Sequence, residues 1–239
     1  MTVLRMTGGL AAFAVLGYAA YAVATWCRYG RAGRRGPGDA LLDRFLPGYE
    51  VREHHERSVE APAAFTLECA QRIGPGRSPV VRAIFWLRSI PSLLRGASQP
   101  ESEGGIVKQM LALGWGLLAD VPGREIVMGA VTQPWKADVV FRAVPPHEFA
   151  DFHEPGYVKI AWTLAVEPTG ASRSVFRTET RATATDAASR SRFRRYWTCL
   201  RPGIVLIRLE MLRMVAADAE RLYRHSPLWG ARAVAETRR

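Results

Sequence analysis

The longest amphipathic pattern in the chain covers residues 185–224 and predicts one long α-helix. Apolar residues recur there at intervals of three and four, the spacing of one helix face, at Phe193, Trp197, Leu200, Ile204, Ile207, Met211 and Met214. The arginines between them fall on the other faces, where their charged ends can stay in water. The pattern therefore predicts that Trp197 and Ile204 pack inward. It also predicts that Arg194 and Arg208 face solvent.

Alternation of apolar and polar residues, the period of a half-buried β-strand, is clearest between residues 156 and 185. Similar segments occur earlier, and the predicted strands are Tyr49–Val59, Trp115–Asp120, Glu125–Thr132, Gly156–Val166 and Ser174–Thr185, with a short one at Val139–Ala143. Pro122 and Gly123 suit the centre of a type II turn, because glycine accepts the positive φ that this turn requires. Strands joined by such short turns predict an antiparallel sheet.

Helices are predicted around the first strand. A short one is expected at Leu41–Leu46, before that strand. Pro62 suits the first turn of a helix that continues to Ile73, and another helix is expected from Pro79 to about Arg95. The element order is then strand, two helices, a run of antiparallel strands and a long C-terminal helix. This order predicts the α+β fold class.

The segment Met6–Cys27 predicts a transmembrane helix. Its 22 residues carry no charge, and a helix of that length spans about 33 Å, against about 30 Å of bilayer hydrocarbon. Four arginines follow within eight residues, so the positive-inside rule places the folded part on the cytoplasmic side of the cell membrane. The chain is therefore predicted to be a single-pass membrane protein. The small residues at Ala22-Val23-Ala24 leave a cleavable signal peptide as the alternative, which the following arginines disfavour. The predicted organisation is an anchor at 1–27, a basic tether at 28–40, a folded domain at 41–230 and a basic tail at 231–239.

Composition narrows the classes of partner. The net charge is +11, but five of the basic residues and no acidic ones lie in the first 35 residues, so the charge does not indicate a nucleic-acid surface. Cys27, Cys69 and Cys199 are an odd set without metal-ligand spacing, and no disulfide, metal site or other cofactor is expected. His147 and His153, each followed by a glutamate, fit no standard zinc pattern.

The strand-to-helix transition Val59-Glu60-Ala61-Pro62-Ala63-Ala64-Phe65, followed by the strand run and the long last helix, resembles the START-like helix-grip superfamily. This superfamily includes the polyketide cyclase/dehydrase, lipid-transport and Bet v 1-like proteins, and the resemblance covers about residues 47–224. It implies a curved antiparallel sheet around the C-terminal helix, with a cavity between them for a hydrophobic or amphipathic small molecule. It carries no universal catalytic residues.

The predicted ligand-binding residues are those expected on the inner face of the sheet and on the facing helix: Glu53, His55, Met128, Ile160, Trp162, Phe176, Thr178, Thr180, Trp197 and Ile204. If Val51 and Val59 point inward, Glu53 and His55 share their side and bring ionisable groups to the cavity. The alternative is a partly exposed or bulged strand whose polar side chains meet water.

These observations predict a membrane-tethered module that binds a lipid-like or aromatic small molecule, in preference to an enzyme. Two alternatives remain at this stage. One is a cyclase- or dehydratase-like enzyme that uses polar residues on the cavity wall, and the other is an interaction protein without a ligand. The expected partners are a hydrophobic small molecule or lipid and, through the N-terminal helix, the membrane. Nucleic acid is not an expected partner.

Overall fold

A six-stranded antiparallel sheet packed against one long C-terminal helix forms the fold. It is seen in a computed structural model that describes residues 16–30, 39–83 and 104–226. The α+β class, the antiparallel sheet and the long C-terminal helix predicted from the sequence are confirmed.

The strands follow the predicted alternation closely. They are β1 (Val51–Val59), β2 (Gly116–Val121), β3 (Glu125–Thr132), β4 (Phe141–Arg142), β5 (Val158–Gly170) and β6 (Arg173–Ala184). Their order across the sheet is β1-β6-β5-β3-β2, with β4 paired to β3, so β1 is an edge strand. Gly123 has a φ of 70° and Arg124 N donates to Val121 O over 3.0 Å, which confirms the type II turn.

The helices are α1 (Ala40–Phe45), α2 (Ala63–Arg72), α3 (Ile106–Ala112), α4 (Pro146–Phe149) and α5 (Ala187–Arg224). The Asp186 side chain caps α5 by accepting from Ser189 N over 2.8 Å. The sequence did not predict α3 and α4, because each is only one or two turns long and leaves no extended apolar stripe. Residues 79–83 are helical, and the remainder of the helix predicted from Pro79 to Arg95 lies outside the described residues.

Residues 16–28 form a helix that lies along the N-terminal half of α5. The Tyr18 hydroxyl donates to Cys199 O over 2.6 Å, and Arg201 Nη1 donates to the Tyr21 hydroxyl over 2.7 Å. Arg194 donates to Trp26 O over 2.7 Å and lies 4.0 Å from the centre of the Trp26 ring. Arg194 is therefore half-buried by this segment, and the prediction that it faces solvent is wrong.

The membrane span predicted at Met6–Cys27 falls only partly within the structure, since residues 6–15 lie outside the described residues. In residues 16–30, 39–83 and 104–226, no helix is both long enough and apolar enough to cross a bilayer. Most of the predicted tether and all of the predicted tail, residues 31–38 and 231–239, also lie outside the described part.

The two faces of the sheet are covered by different elements. We call the first the α5 face. There, α2 and the C-terminal half of α5 pack on Leu164, Val166 and Phe176. The N-terminal half of α5 packs on Val51, Val158 and Ala182. On the second, which we call the α1 face, α1 and α4 pack on β2, β3 and β5 through Leu42, Phe45, Leu118, Val127 and Phe149. The α5 face thus holds two separate apolar clusters.

The inward side of α5 differs from the prediction in its second half. Phe193 and Trp197 are buried as predicted. Beyond Pro202 the buried positions are Leu212, Val215, Ala216 and Ala219, one residue away from the predicted Met211 and Met214. This register also turns Arg208 toward the sheet, so the prediction that Arg208 faces solvent is wrong. Both neighbouring stripes carry apolar groups, and the packing partner decides between them.

Candidate functional site

A band of polar side chains crosses the α5 face between its two apolar clusters. The strand register pairs Glu53 with Thr180 and His55 with Thr178, and on β5 it places Trp162 beside Thr180 and Leu164 beside Thr178. The same face of α5 brings two arginines to this band. We call the set the polar belt, and its members are Glu53, His55, Thr178, Thr180, Arg201 and Arg208.

Glu53 and Arg201 form the central ion pair of the polar belt. Glu53 is only 6% exposed, and its carboxylate accepts from Arg201 Nε over 2.5 Å and from Nη2 over 3.3 Å. Burial by itself would raise the pKa of Glu53, but the neighbouring His55 and Arg201 outweigh it and hold that pKa below its usual value. Glu53 is therefore a carboxylate at neutral pH, and its partner Arg201 also contacts Tyr21.

His55 lies beside this pair without a hydrogen bond of its own at Nε2. Its Nε2 atom is 3.6 Å from Glu53 Oε2, an ion-pair distance that exceeds hydrogen-bond length. The atom is buried, and no described residue supplies a partner for it. β1 pairs with β6 without a bulge, and Glu53 is buried. The alternative of a water-facing strand is therefore wrong for Glu53, although it holds for the exposed Arg57.

The two threonines of the polar belt differ in their bonding. Thr178 Oγ1 accepts from Trp162 Nε1 over 2.9 Å. Thr180 Oγ1 is equally inaccessible but finds no hydrogen-bond partner in the described part of the chain. Only Thr180 is thus left with an unused hydroxyl. Thr178 has a structural role that the sequence did not predict.

Arg208 is the residue that the sequence analysis missed. Its Nε and Nη1 atoms are buried and have no hydrogen-bond partner among the residues described. Burial lowers the pKa of Arg208 to about 10, and the negative charge of Glu53 opposes this only in part. Continuing the stripe from Phe193 and Trp197 in steps of four and three would have led to Arg208. Arg208 was instead expected to face solvent, because a charged side chain is usually exposed.

The other predicted ligand-binding residues all lie on the α5 face. Ile160, Trp197 and Ile204 belong to the cluster around Phe193, and Trp162 and Phe176 belong to the cluster around α2. Met128 is fully buried on β3, opposite Trp162, but α5 contacts mainly β1 and β6. The structure therefore brings the predicted residues onto one face, with Met128 at its far side.

A surface groove of about 420 Å³ lies between α5 and the edge strand β1, lined by Glu56, Arg57, Val80, Leu206, Leu209, Glu210, Leu212 and Arg213. The predicted ligand-binding residues are not part of this described lining. The groove nevertheless adjoins the polar belt. Arg57 is the next residue after His55 on the same side of β1, and Leu212 follows Arg208 by one helical turn.

The described residues contain no group of three or more histidine, cysteine or acidic side chains placed to hold a metal ion. The cysteines Cys27, Cys69 and Cys199 are all free thiols.

A scan against protein-family models finds no match for the chain, and a search of curated proteins finds none either. The case for a function therefore rests on the chemistry of the polar belt and the groove.

Proposed function

We propose that this protein is a binding module for an amphipathic small molecule, held between α5 and the sheet. The observation that carries the proposal is that four of the six buried side-chain polar atoms without a partner in the described residues belong to the polar belt, namely His55 Nε2, Thr180 Oγ1 and the Arg208 Nε and Nη1. Buried polar groups are normally hydrogen-bonded, and leaving one unpaired costs about 1–3 kcal/mol. Several such atoms at one level of the sheet are expected where a ligand completes the bonding.

The groove supplies the apolar half of the proposed site. Leu206 and Leu209 are about half exposed there, and Leu212 forms its inner wall. A ligand lying in the groove would place its apolar body on these leucines and direct a polar group past Arg57 toward the polar belt. Entry over β1 is favoured because an edge strand has no neighbouring strand to block it. The arrangement of helix and sheet is consistent with the helix-grip resemblance, which stays part of the proposal.

The proposal includes attachment to a membrane through the N-terminal segment, with the folded domain on the cytoplasmic side. The described end of that segment exposes large apolar side chains, such as Leu16 at 65% and Val23 at 63%, which suits contact with lipid. An enzyme reporter that is active only outside the cytoplasm, fused after Arg239, should give no signal. A strong signal would reverse the orientation or indicate export.

Binding is tested by identifying the molecules that co-purify with the full chain in a mild nonionic detergent, using native mass spectrometry and solvent extraction. Leu209→Trp should fill the groove and lower the bound fraction at least about tenfold, because the ligand and the indole compete for one space. Leu222→Trp is the matched control, since Leu222 has similar exposure but lies outside the groove. If nothing co-purifies and neither tryptophan changes the protein, the interaction-protein alternative takes the place of this proposal.

A cyclase- or dehydratase-like enzyme is the second candidate, because His55 and Glu53 form a possible acid/base pair. A histidine with a free ring nitrogen and a neighbouring carboxylate is a common proton-transfer arrangement. His55→Gln distinguishes the two candidates when the extracted ligand is incubated with the protein. A binding module keeps its ligand chemically unchanged in either form. An enzyme converts the ligand, and the variant binds it without converting it.

A further inference from the structure

Resting on the proposed function, we propose that the ligand carries an acid head group, a carboxylate or a phosphate monoester, which binds Arg208 at the polar belt. The first observation is the net charge of the polar belt. The polar belt contains two guanidinium groups, those of Arg201 and Arg208, and one carboxylate, that of Glu53. These three groups therefore hold one excess positive charge in a space bounded by two apolar clusters.

The excess charge belongs to Arg208. Glu53 already accepts from Nε and Nη2 on one edge of the Arg201 guanidinium, and Arg201 Nη1 donates to the Tyr21 hydroxyl. Arg208 Nε and Nη1 have no hydrogen-bond partner in the described ranges, and the charge of Glu53 offsets the burial of Arg208 only in part. A buried cation without a counter-ion is strongly unfavourable, and proteins normally pair such a charge. The missing partner is thus an anion.

The neighbouring polar atoms suit the oxygens of an acid. Arginine presents several N–H groups in a planar fork that matches a carboxylate or a phosphate. The hydroxyl of Thr180 and, in the Nε2–H tautomer, the ring of His55 provide further donors, and both are buried without a partner among the described residues. A neutral alcohol would leave the charge of Arg208 uncompensated. An amine would add a second uncompensated cation.

The position of Arg208 along α5 fits a ligand with an apolar body. Leu212 is one turn further along the same helix face and lines the groove, together with Leu206 and Leu209. A head group at Arg208 would therefore continue into an apolar chain lying on these leucines. This geometry describes a single-tailed acid entering over β1, with the acid inside and the tail along the groove.

The test uses three probes with the same ten-carbon chain, namely decanoate, decyl phosphate and 1-decanol. The full chain is reconstituted in phosphatidylcholine nanodiscs, and binding is followed by tryptophan fluorescence with empty nanodiscs as the blank. At least one acid should bind about tenfold more tightly than 1-decanol, the size expected for a charge-assisted hydrogen-bonded pair. Comparison of the two acids identifies the head group as a carboxylate or a phosphate.

Arg208→Met should abolish the preference by weakening acid binding about tenfold, while 1-decanol binding changes less than about twofold. Arg208→Lys should keep part of the preference, because it retains the charge but not the planar fork. Arg195→Met, at an exposed arginine on the same helix, is the control and should change neither affinity. If Arg208→Met does not fold, the comparison of acid and alcohol on the unmodified chain still shows whether the site prefers an acid head group.

Equal affinity of the unmodified chain for the acids and the alcohol would overturn the acid assignment and leave the proposed function standing. An acid preference that survives in Arg208→Met would overturn the assignment of the head group to Arg208. Failure of all three probes to bind, together with the absence of any co-purifying molecule, would overturn the proposed function itself.

Discussion

Both faces of the sheet bury charged groups, but the two faces differ in how these groups are hydrogen-bonded. On the α1 face, Arg181 is fully buried and donates to Glu179 Oε1 over 2.7 Å, to Asp43 Oδ1 over 2.5 Å and to Leu46 O over 3.2 Å. Glu179 also accepts from Arg52 over 2.8 Å and 2.9 Å. On the α5 face, the Nε and Nη1 atoms of Arg208 are buried without such partners in the part of the chain that the structure describes.

This difference separates a structural use of buried charge from a proposed functional one. A charge network whose donors and acceptors are paired holds its elements in one arrangement, and here it ties β1, β6 and α1 together. The groups of the polar belt that lack a partner among the described residues form no such network and cost free energy. A protein is expected to keep such groups only where they act on something else.

Replacing Arg181 should have the largest effect. Arg181→Met leaves Glu179 and Asp43 without their buried partner, so the free energy of unfolding should fall by about 3–5 kcal/mol. Urea unfolding followed by circular dichroism measures this. Arg173→Met is the control, because Arg173 is exposed and its contact with Glu60 is long, at 3.6 Å, and it should change stability by less than about 0.5 kcal/mol. Similar losses for both variants would remove the structural role of the α1-face network.

Replacing Arg208 should have the opposite sign. In protein freed of bound lipid, Arg208→Met removes an unpaired buried charge and should raise the free energy of unfolding by about 2 kcal/mol. The same denaturation experiment measures it, run beside Arg181→Met. A loss of stability comparable to that of Arg181→Met would show that Arg208 is paired after all, and the contrast between the faces would disappear.

A pH-dependent contribution is expected from Glu125 on the α1 face. Burial and the neighbouring Asp39 carboxyl raise the pKa of Glu125 to about 7, while Thr163 Oγ1 donates to it over 2.7 Å. Because the folded state binds this proton more tightly than the unfolded state, protonation of Glu125 stabilises the fold. This stabilisation is complete below the unfolded-state pKa of about 4.3 and is lost as the pH rises through 7. Between pH 5 and pH 8 the unmodified protein should therefore lose about 1–2 kcal/mol more than Glu125→Gln does.

Denaturation midpoints at pH 5 and pH 8 provide the measurement for Glu125. Glu154→Gln serves as the control, because Glu154 is an exposed glutamate whose partner is Arg142, and the pH dependence of this variant should match that of the unmodified protein. Identical pH profiles for Glu125→Gln and the unmodified protein would mean that the fold does not raise the pKa of Glu125.

The smallest effects separate the two threonines of the polar belt. Thr178→Val removes the acceptor of Trp162 Nε1 and should cost about 1 kcal/mol. Thr180→Val removes a hydroxyl with no partner among the described residues, so its stability should change by less than about 0.5 kcal/mol, while its affinity for the acid probes should fall. The reverse order of stability losses would mean that Thr180 is the structural member of the pair.

Local periodicity determined most of the fold. Alternation located β5 and β6 to within a few residues and placed Glu53 and His55 on the inner face, because side chains on a strand change sides at every residue. The extent of α5 also followed from the sequence, since its apolar stripe depends on spacings of three and four residues.

Tertiary structure alone decided how the charged residues are used. Both Ile207 and Arg208 can continue a helical stripe, and only packing against the sheet selected Arg208 for the inner side. Arg181 meets Asp43 across 138 residues of chain, and Arg201 meets Glu53 across 148. No local pattern encodes such pairs, because an arginine in the sequence looks the same whether it finds a carboxylate or not. The sequence therefore determined where the sheet and its helix lie, and the three-dimensional arrangement decided which buried charge is left without a partner.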